Sequence, residues 1–183
     1  MTEHTRKRRV AFANDVEKWK WMDAGAHRDA RIPTIVELAS TLVRPYAADD
    51  WQGMATTIHR FVRDAIRYQH DPDRRELLAD AAATLRRGAD DCDGKARLAA
   101  ALANAAGLEA MVWPVFKGPV LGHVQWAAKW PGSERLPSAK AHPMRPGGPR
   151  EWIVGDVTIR GCELGEDPLS KPRDPTTGRL PLA

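Results

Sequence analysis

The sequence predicts an α+β fold in which helices pack on an antiparallel β-sheet. Apolar residues recur at helical spacing from Pro33 to about position 106, and the chain then changes to alternating stretches separated by glycine and proline. Size agrees: 183 residues suit one core, burying roughly 70% of the surface that the unfolded chain exposes.

Residues 1–32 read as a charged arm anchored by Phe12, Trp19 and Trp21, either packed on the domain or mobile. Pro33 suits a first helical turn, and Ile35, Leu38, Ala39, Leu42 and Val43 share one face until Pro45 stops the pattern. Between Trp51 and Tyr68 a second stripe is formed by Met54, Ile58, Phe61, Val62, Ala65 and Ile66. A turn at 70–73 leads to a short helix over 76–85, which Arg86, Arg87 and Gly88 end. The alanine- and leucine-rich run 95–106 is a further helix, closing near Gly107.

Beyond it the period is two. Residues 110–116 predict a strand that Pro114 confines to an edge or a bulge, and 120–130 a second strand. Proline, glycine and charges dominate 131–150, read as a surface insertion before a third strand at 152–159. The domain proper is expected over 33–170, with 171–183 as a tail.

Charged residues at 28% and hydrophobic residues at 43% argue against a disordered chain. No apolar run approaches the roughly 18 residues of a membrane span, and the N-terminus lacks the apolar core of a secretory signal, so a cytoplasmic protein without membrane contact is expected. The net charge of +4 is scattered apart from the run Arg6 to Arg9, which reads as a solvated basic arm. The seven tryptophans form no regular ladder with basic residues, and nucleic-acid binding is not expected.

The chemistry centres on Cys92, in Gly88-Ala-Asp-Asp-Cys-Asp-Gly-Lys-Ala96, directly ahead of a helix. Free N–H groups and the positive helix end stabilise a thiolate there, so a lowered thiol pKa is expected. His123 opens one strand and Asp156 lies within a later one, which gives a nucleophile, a base and an orienter in chain order. Asp91 and Asp93 read as helix caps. Asp90, Asp91 and Asp93 do not match a calcium loop, and neither metal nor cofactor is expected. Cys162, the second cysteine, reads as a small buried hydrophobe, and both thiols as free. His27, His59, His70 and His142 lack comparable surroundings.

These residues resemble the transglutaminase-like cysteine proteinases, and among them the short members encoded with bacteriophage structural genes. The likeness rests on a helix ending in tyrosine, Phe61-Val-Arg-Asp-Ala-Ile-Arg-Tyr68, then the cysteine box and its Ala/Leu helix. Gly122-His-Val124, Trp152-Ile-Val-Gly-Asp-Val-Thr158 and the trailing Leu164-Gly-Glu-Asp-Pro168 complete it, over residues 51–168. The chain departs from the pattern at Asp90, where the family usually has glycine, and at Gly94, which replaces a common second aspartate.

The resemblance implies a papain-like core in which Cys92 attacks an amide carbonyl, His123 is the general base and Asp156 orients the imidazole. The implied activity is thiol-dependent hydrolysis of peptide or glutamine amide bonds, as a cysteine peptidase or deamidase. The alternatives are a crosslinking transglutaminase and a non-catalytic structural or assembly protein of a phage particle. The Cys92 N–H is one oxyanion donor, and Tyr68 and Gln69 are candidates for the second. Partners would be a protein or peptide substrate, and phage structural proteins.

Overall fold

The computed structural model describes residues 11–71, 77–166, 168 and 169. The basic run 6–9 and the tail 171–183 lie outside them, as do parts of the 70–73 turn and of the trailing motif.

Among the described residues, five helices precede the sheet: α1 (Asp15–Asp29), α2 (Pro33–Val43), α3 (Trp51–Ala65), α4 (Ala81–Arg87) and α5 (Cys92–Ala105). A two-residue parallel ladder, β1 (Arg67–Tyr68) with β2 (Ala89–Asp90), ties the end of α3 to the start of α5. Then come β3 (Glu109–Lys117), β4 (Val120–Lys129), β5 (Lys140–Ala141) and β6 (Arg150–Gly155), forming an antiparallel sheet of order β3-β4-β6-β5. Pro114 lies on the edge strand β3, beside a register shift between Val115 and Phe116, as a residue without an N–H requires.

The central element is α5. Every residue from Asp93 to Ala103 is buried, and a helix buried all round must be apolar or internally paired. Its alanines let α1, α2, α3, α4 and the sheet approach closely. Its polar residues are paired. Lys95 donates from Nζ to the carbonyls of Arg63 and Ile66, serving acceptors that the end of α3 leaves open. Burial pushes the Lys95 pKa down to about 8. Arg97 forms a two-pronged pair with Asp29 of α1, at 2.7 and 3.1 Å. The guanidinium passes where a Cβ on Gly25 would stand, 2.6 Å from its Cζ.

Several boundaries differ from expectation. Asp15–Asp29 of the N-terminal segment is a helix packed on α5 and β3. Its start is fixed by Asn14, which accepts from the Glu17 N–H, while the Glu17 carboxylate reaches back to the N–H of Ala13. Trp19 and Met22 are buried, and the Trp19 indole N–H donates to the Val112 carbonyl at 2.7 Å. The helix at 51–65 stops three residues before Tyr68, because Ile66 turns extended and the chain enters β1. The helix expected from 76 begins at Ala81, where Asp80 caps the Ala83 N–H. Gly88, at φ +60°, ends it as expected. The 131–150 segment is not merely a surface insertion: it holds a single 3₁₀ turn, Ser133–Arg135, and the strand β5, and it buries Ser133 and Ala139. The third strand spans Arg150–Gly155, so Asp156 follows it rather than lying within it.

His59 belongs to the core. Its Nδ1 accepts from the Trp126 indole at 3.1 Å, and its Nε2–H donates to the Cys162 carbonyl at 2.8 Å. Burial, partly opposed by that carbonyl, holds its pKa below the ordinary value. As pH falls below about 6.5, the unfolded chain takes up a proton that the folded imidazole refuses, so stability drops toward acid. His142, also held low chiefly by burial, adds to the same slope. The thermal midpoint is therefore expected to fall from neutral to mildly acidic pH, less steeply in His59→Gln; a flat or rising midpoint would contradict this. No helix among the described residues is long and apolar enough to cross a membrane.

Candidate active site

Cys92 occupies the first position of α5. Asp91 is its N-cap, accepting from the N–H groups of Asp93 and Gly94 at 3.1 and 3.3 Å, so the capping expectation holds for Asp91. Asp93 serves otherwise: its carboxylate meets Lys18 of α1 at 2.9 Å and accepts from the Cys92 thiol at 3.6 Å. The Cys92 N–H has no hydrogen bond among the described residues.

The two departures in the cysteine box compensate each other. The Asp90 carboxylate is buried and accepts from Thr84, from Arg87 and, at 3.0 Å, from the Asp91 N–H. It fills the space of a side chain at position 94, for a Cβ there would lie 2.1 Å from Asp90 Oδ2 and 2.2 Å from its Cγ. Asp90 cannot move aside without losing those bonds. Gly94→Ala should cost about 3 kcal/mol of overpacking, against at most about 1 kcal/mol gained in helix propensity. In an Asp90→Gly background the same substitution should be nearly neutral. Urea unfolding of the four proteins checks this, and equal costs in both backgrounds would sink it.

His123 lies on β4, and Asp156 follows the end of β6, a neighbouring strand in register through Trp126 and Gly155. His123 Nε2 and Asp156 Oδ2 are 2.8 Å apart. Asp156 is fully buried and also accepts from the Thr158 N–H at 2.9 Å, the Thr158 hydroxyl at 2.6 Å and the Gln125 amide at 3.4 Å. Burial alone would push its pKa up, but the hydrogen bond and charge of His123, with both Thr158 donors, prevail and hold it low. An ionised Asp156 only accepts, so Nε2 carries the proton and the Nδ1 lone pair is left to take another. Nδ1 has no hydrogen-bond partner among the described residues.

Cys92 and His123 line one open cavity of about 430 Å³, together with Lys18, Tyr68, His70, Asp71, Asp91, Asp93 and residues 121, 122 and 124. The β1–β2 ladder sets Tyr68 opposite Asp90 and so brings it to this cavity. Burial, with the negative charges of Asp91 and Asp93 adding to it, pushes its phenol up to about 12, so it remains a donor. Gln69 is not among the lining residues: its N–H is bound to the Asp90 carbonyl and its side chain accepts from Arg67.

One expectation is overturned. The Cys92 pKa is raised, not lowered: burial is the largest cause, the charges of Asp93 and Asp91 add to it, and the Val124 N–H only partly opposes them. The resting thiol is neutral. Cys162 is buried and free, with a pKa pushed up to about 11, chiefly by burial. Sequence reasoning missed Lys18, Gln125 and Thr158. The Asp-x-Thr spacing of 156 and 158 carried a signal for Thr158, whereas Lys18 lies in a segment with no motif.

Residues 37–125 match the model of the transglutaminase-like superfamily. The transglutaminase-like match contains Cys92 and His123 and ends before Asp156. Two solved structures resemble the chain. A candidate cysteine protease from Cytophaga hutchinsonii is 18% identical with a TM-score of 0.47, over 72% of this chain and 40% of that one. A candidate protease from Parabacteroides distasonis is 12% identical with a TM-score of 0.51, over 86% of this chain and 34% of that one. The likeness to the second is one of fold, and this chain spans less than half the length of either. No curated protein matches the sequence significantly. Helices packed on an antiparallel sheet form the papain-like, transglutaminase-like core that the sequence predicts.

Proposed function

We propose that the protein is a thiol-dependent amide hydrolase in which Cys92 is the nucleophile, His123 the general base and Asp156 the orienter. The observation that carries this is the 2.8 Å bond from His123 to a buried, ionised Asp156, which leaves Nδ1 as the basic nitrogen in the cavity that Cys92 also lines.

Because the resting thiol is neutral, its proton passes to His123 Nδ1 as the sulfur attacks, rather than from a standing thiolate–imidazolium pair. The Cys92 N–H and the Tyr68 hydroxyl are the donors available to the oxyanion. When the tetrahedral adduct collapses, the C–N bond breaks and the imidazolium gives its proton to the departing amine, which leaves a thioester. His123 then deprotonates water, the hydroxide adds to the thioester carbonyl, and the C–S bond breaks to release the carboxylic acid and restore the thiol.

Water is preferred over a lysine amine as acceptor because water is always available and nothing among the described residues marks a second amine-substrate site. The resemblance to short phage-encoded members makes structural proteins of phage particles, in the cytoplasm or after assembly, the first substrates to try. The neutral thiol between two aspartates favours one second reading, a non-catalytic protein that keeps the fold. Incubation with glutamine-containing peptides, followed by mass spectrometry, separates cleavage, deamidation and crosslinking. Every product should vanish in Cys92→Ala, and products that persist there would overturn the mechanism.

A further inference from the structure

The proposed nucleophile stands in acidic surroundings. Among the described residues, the titratable or charged groups that line the cavity with Cys92 are Asp91 and Asp93 from the start of α5, Tyr68, His70 and Asp71 from the segment after α3, His123 from β4, and Lys18 from α1. Lys18 is the one lysine or arginine of this set. Its Nζ lies 2.9 Å from Asp93 Oδ2, with the two side chains 14% and 7% exposed. The other Asp93 oxygen, Oδ1, lies 3.6 Å from the Cys92 sulfur. The carboxylate thus bridges a lysine on one helix and the thiol on another.

α1 is held in register at both ends of this contact. Asp15 accepts from the Leu121 N–H, two residues before His123, at 2.6 Å. Asp23 accepts from the Val112 N–H at 2.9 Å, and Trp19, beside Lys18, donates to the Val112 carbonyl. A partly buried ion pair fixed this way is little screened by solvent. Without Lys18, the Asp93 carboxylate would lose this counter-charge while its other oxygen still faces the sulfur, and its charge already adds to the burial that raises the thiol pKa.

We propose that Lys18 is a positioning residue for the Cys92 chemistry: it neutralises and holds the Asp93 carboxylate so that the sulfur can lose its proton to His123. This rests on Cys92 being the nucleophile, and it assigns a part of the site to a helix that lies before the matched segment 37–125.

The test is the pH dependence of Cys92 alkylation by iodoacetamide, read by peptide mass mapping, with Cys162 as internal control and melting curves to confirm folding. Lys18→Met should slow alkylation about tenfold at neutral pH and move the profile up by about one unit, whereas Lys18→Arg should stay near the parent. Lys18→Met with Asp93→Asn should return to the parent rate or exceed it. An unchanged profile in Lys18→Met, or a double variant as slow as Lys18→Met, overturns the proposal. If Lys18→Met does not fold, Asp93→Asn alone decides: faster alkylation than the parent supports the role, and an equal or slower rate removes it. Alkylation needs no amide substrate, so failure of the hydrolase reading and failure of the Lys18 role are separately visible.

Discussion

Cys92→Ala is expected to lower amide hydrolysis by at least about 10⁴-fold and to change folding stability by no more than about 0.5 kcal/mol. The sulfur lines a cavity and its hydrogen bond to Asp93 is a weak one, so removing it costs little. The covalent route, by contrast, disappears. His123→Ala should be nearly as damaging, since no other imidazole in the cavity is bonded to a buried carboxylate among the described residues. Asp156→Ala should retain about a hundredfold more activity than His123→Ala, because it loses orientation and not the base itself. Asp156→Ala should also lower stability, since it strands buried donors of Thr158 and Gln125. Comparing kcat/KM and urea midpoints across the three variants checks both orders. Full activity in Cys92→Ala, or an Asp156→Ala protein less active than His123→Ala, would require another mechanism.

The largest effect on stability is expected from Asp29→Ala, at about 3–5 kcal/mol. Asp29 holds both prongs of the Arg97 guanidinium and also accepts from the Ala81 N–H at 2.8 Å, so one carboxylate joins α1, α5 and the start of α4. Arg97 is only 5% exposed, and its Nη1 already lacks a partner among the described residues. The stacking of Trp21 over the guanidinium, at 4.9 Å from the ring centre, cannot replace a counter-charge. Removing Asp29 therefore strands a buried cation. Adding Arg97→Met should restore most of the loss, leaving about 1 kcal/mol for the unsatisfied Ala81 N–H. Urea unfolding of the two single variants and the double variant measures this. An Asp29→Ala protein within about 0.5 kcal/mol of the parent would show that the pair contributes little.

How much of this was legible in the sequence depended on whether the signal was local. Pro33, the stripe from Met54 to Val62, Gly88 and the edge strand around Pro114 follow from spacing and backbone chemistry, and the structure has them where expected. The helix at 15–29 was hidden because Trp19, Met22 and Ala26 are diluted by lysines and aspartates whose partners lie about 70 to 110 residues away in the chain. Strand β5 was hidden by its brevity, two residues among prolines. Cys92 and His123 share a cavity as the chain order suggested, and His123 and Asp156 are bonded. The thiol's charge state was misjudged because helix-end electrostatics is local, whereas the desolvation that outweighs it comes from the assembled fold.

The interlock of Asp90 with Gly94 also limits how such sequences can diverge. A carboxylate at 90 and a side chain at 94 compete for one space, so a sequence with glycine at 90 and aspartate at 94 that reaches the present pair through aspartate at both positions carries the overpacking cost on the way. The passable intermediate is glycine at both, which leaves Thr84 and Arg87 without their acceptor but overlaps nothing. Lineages that exchange one arrangement for the other should therefore carry double-glycine relatives at the branch point, and chimeras that splice the box of one onto the helix of the other should fail in one direction only.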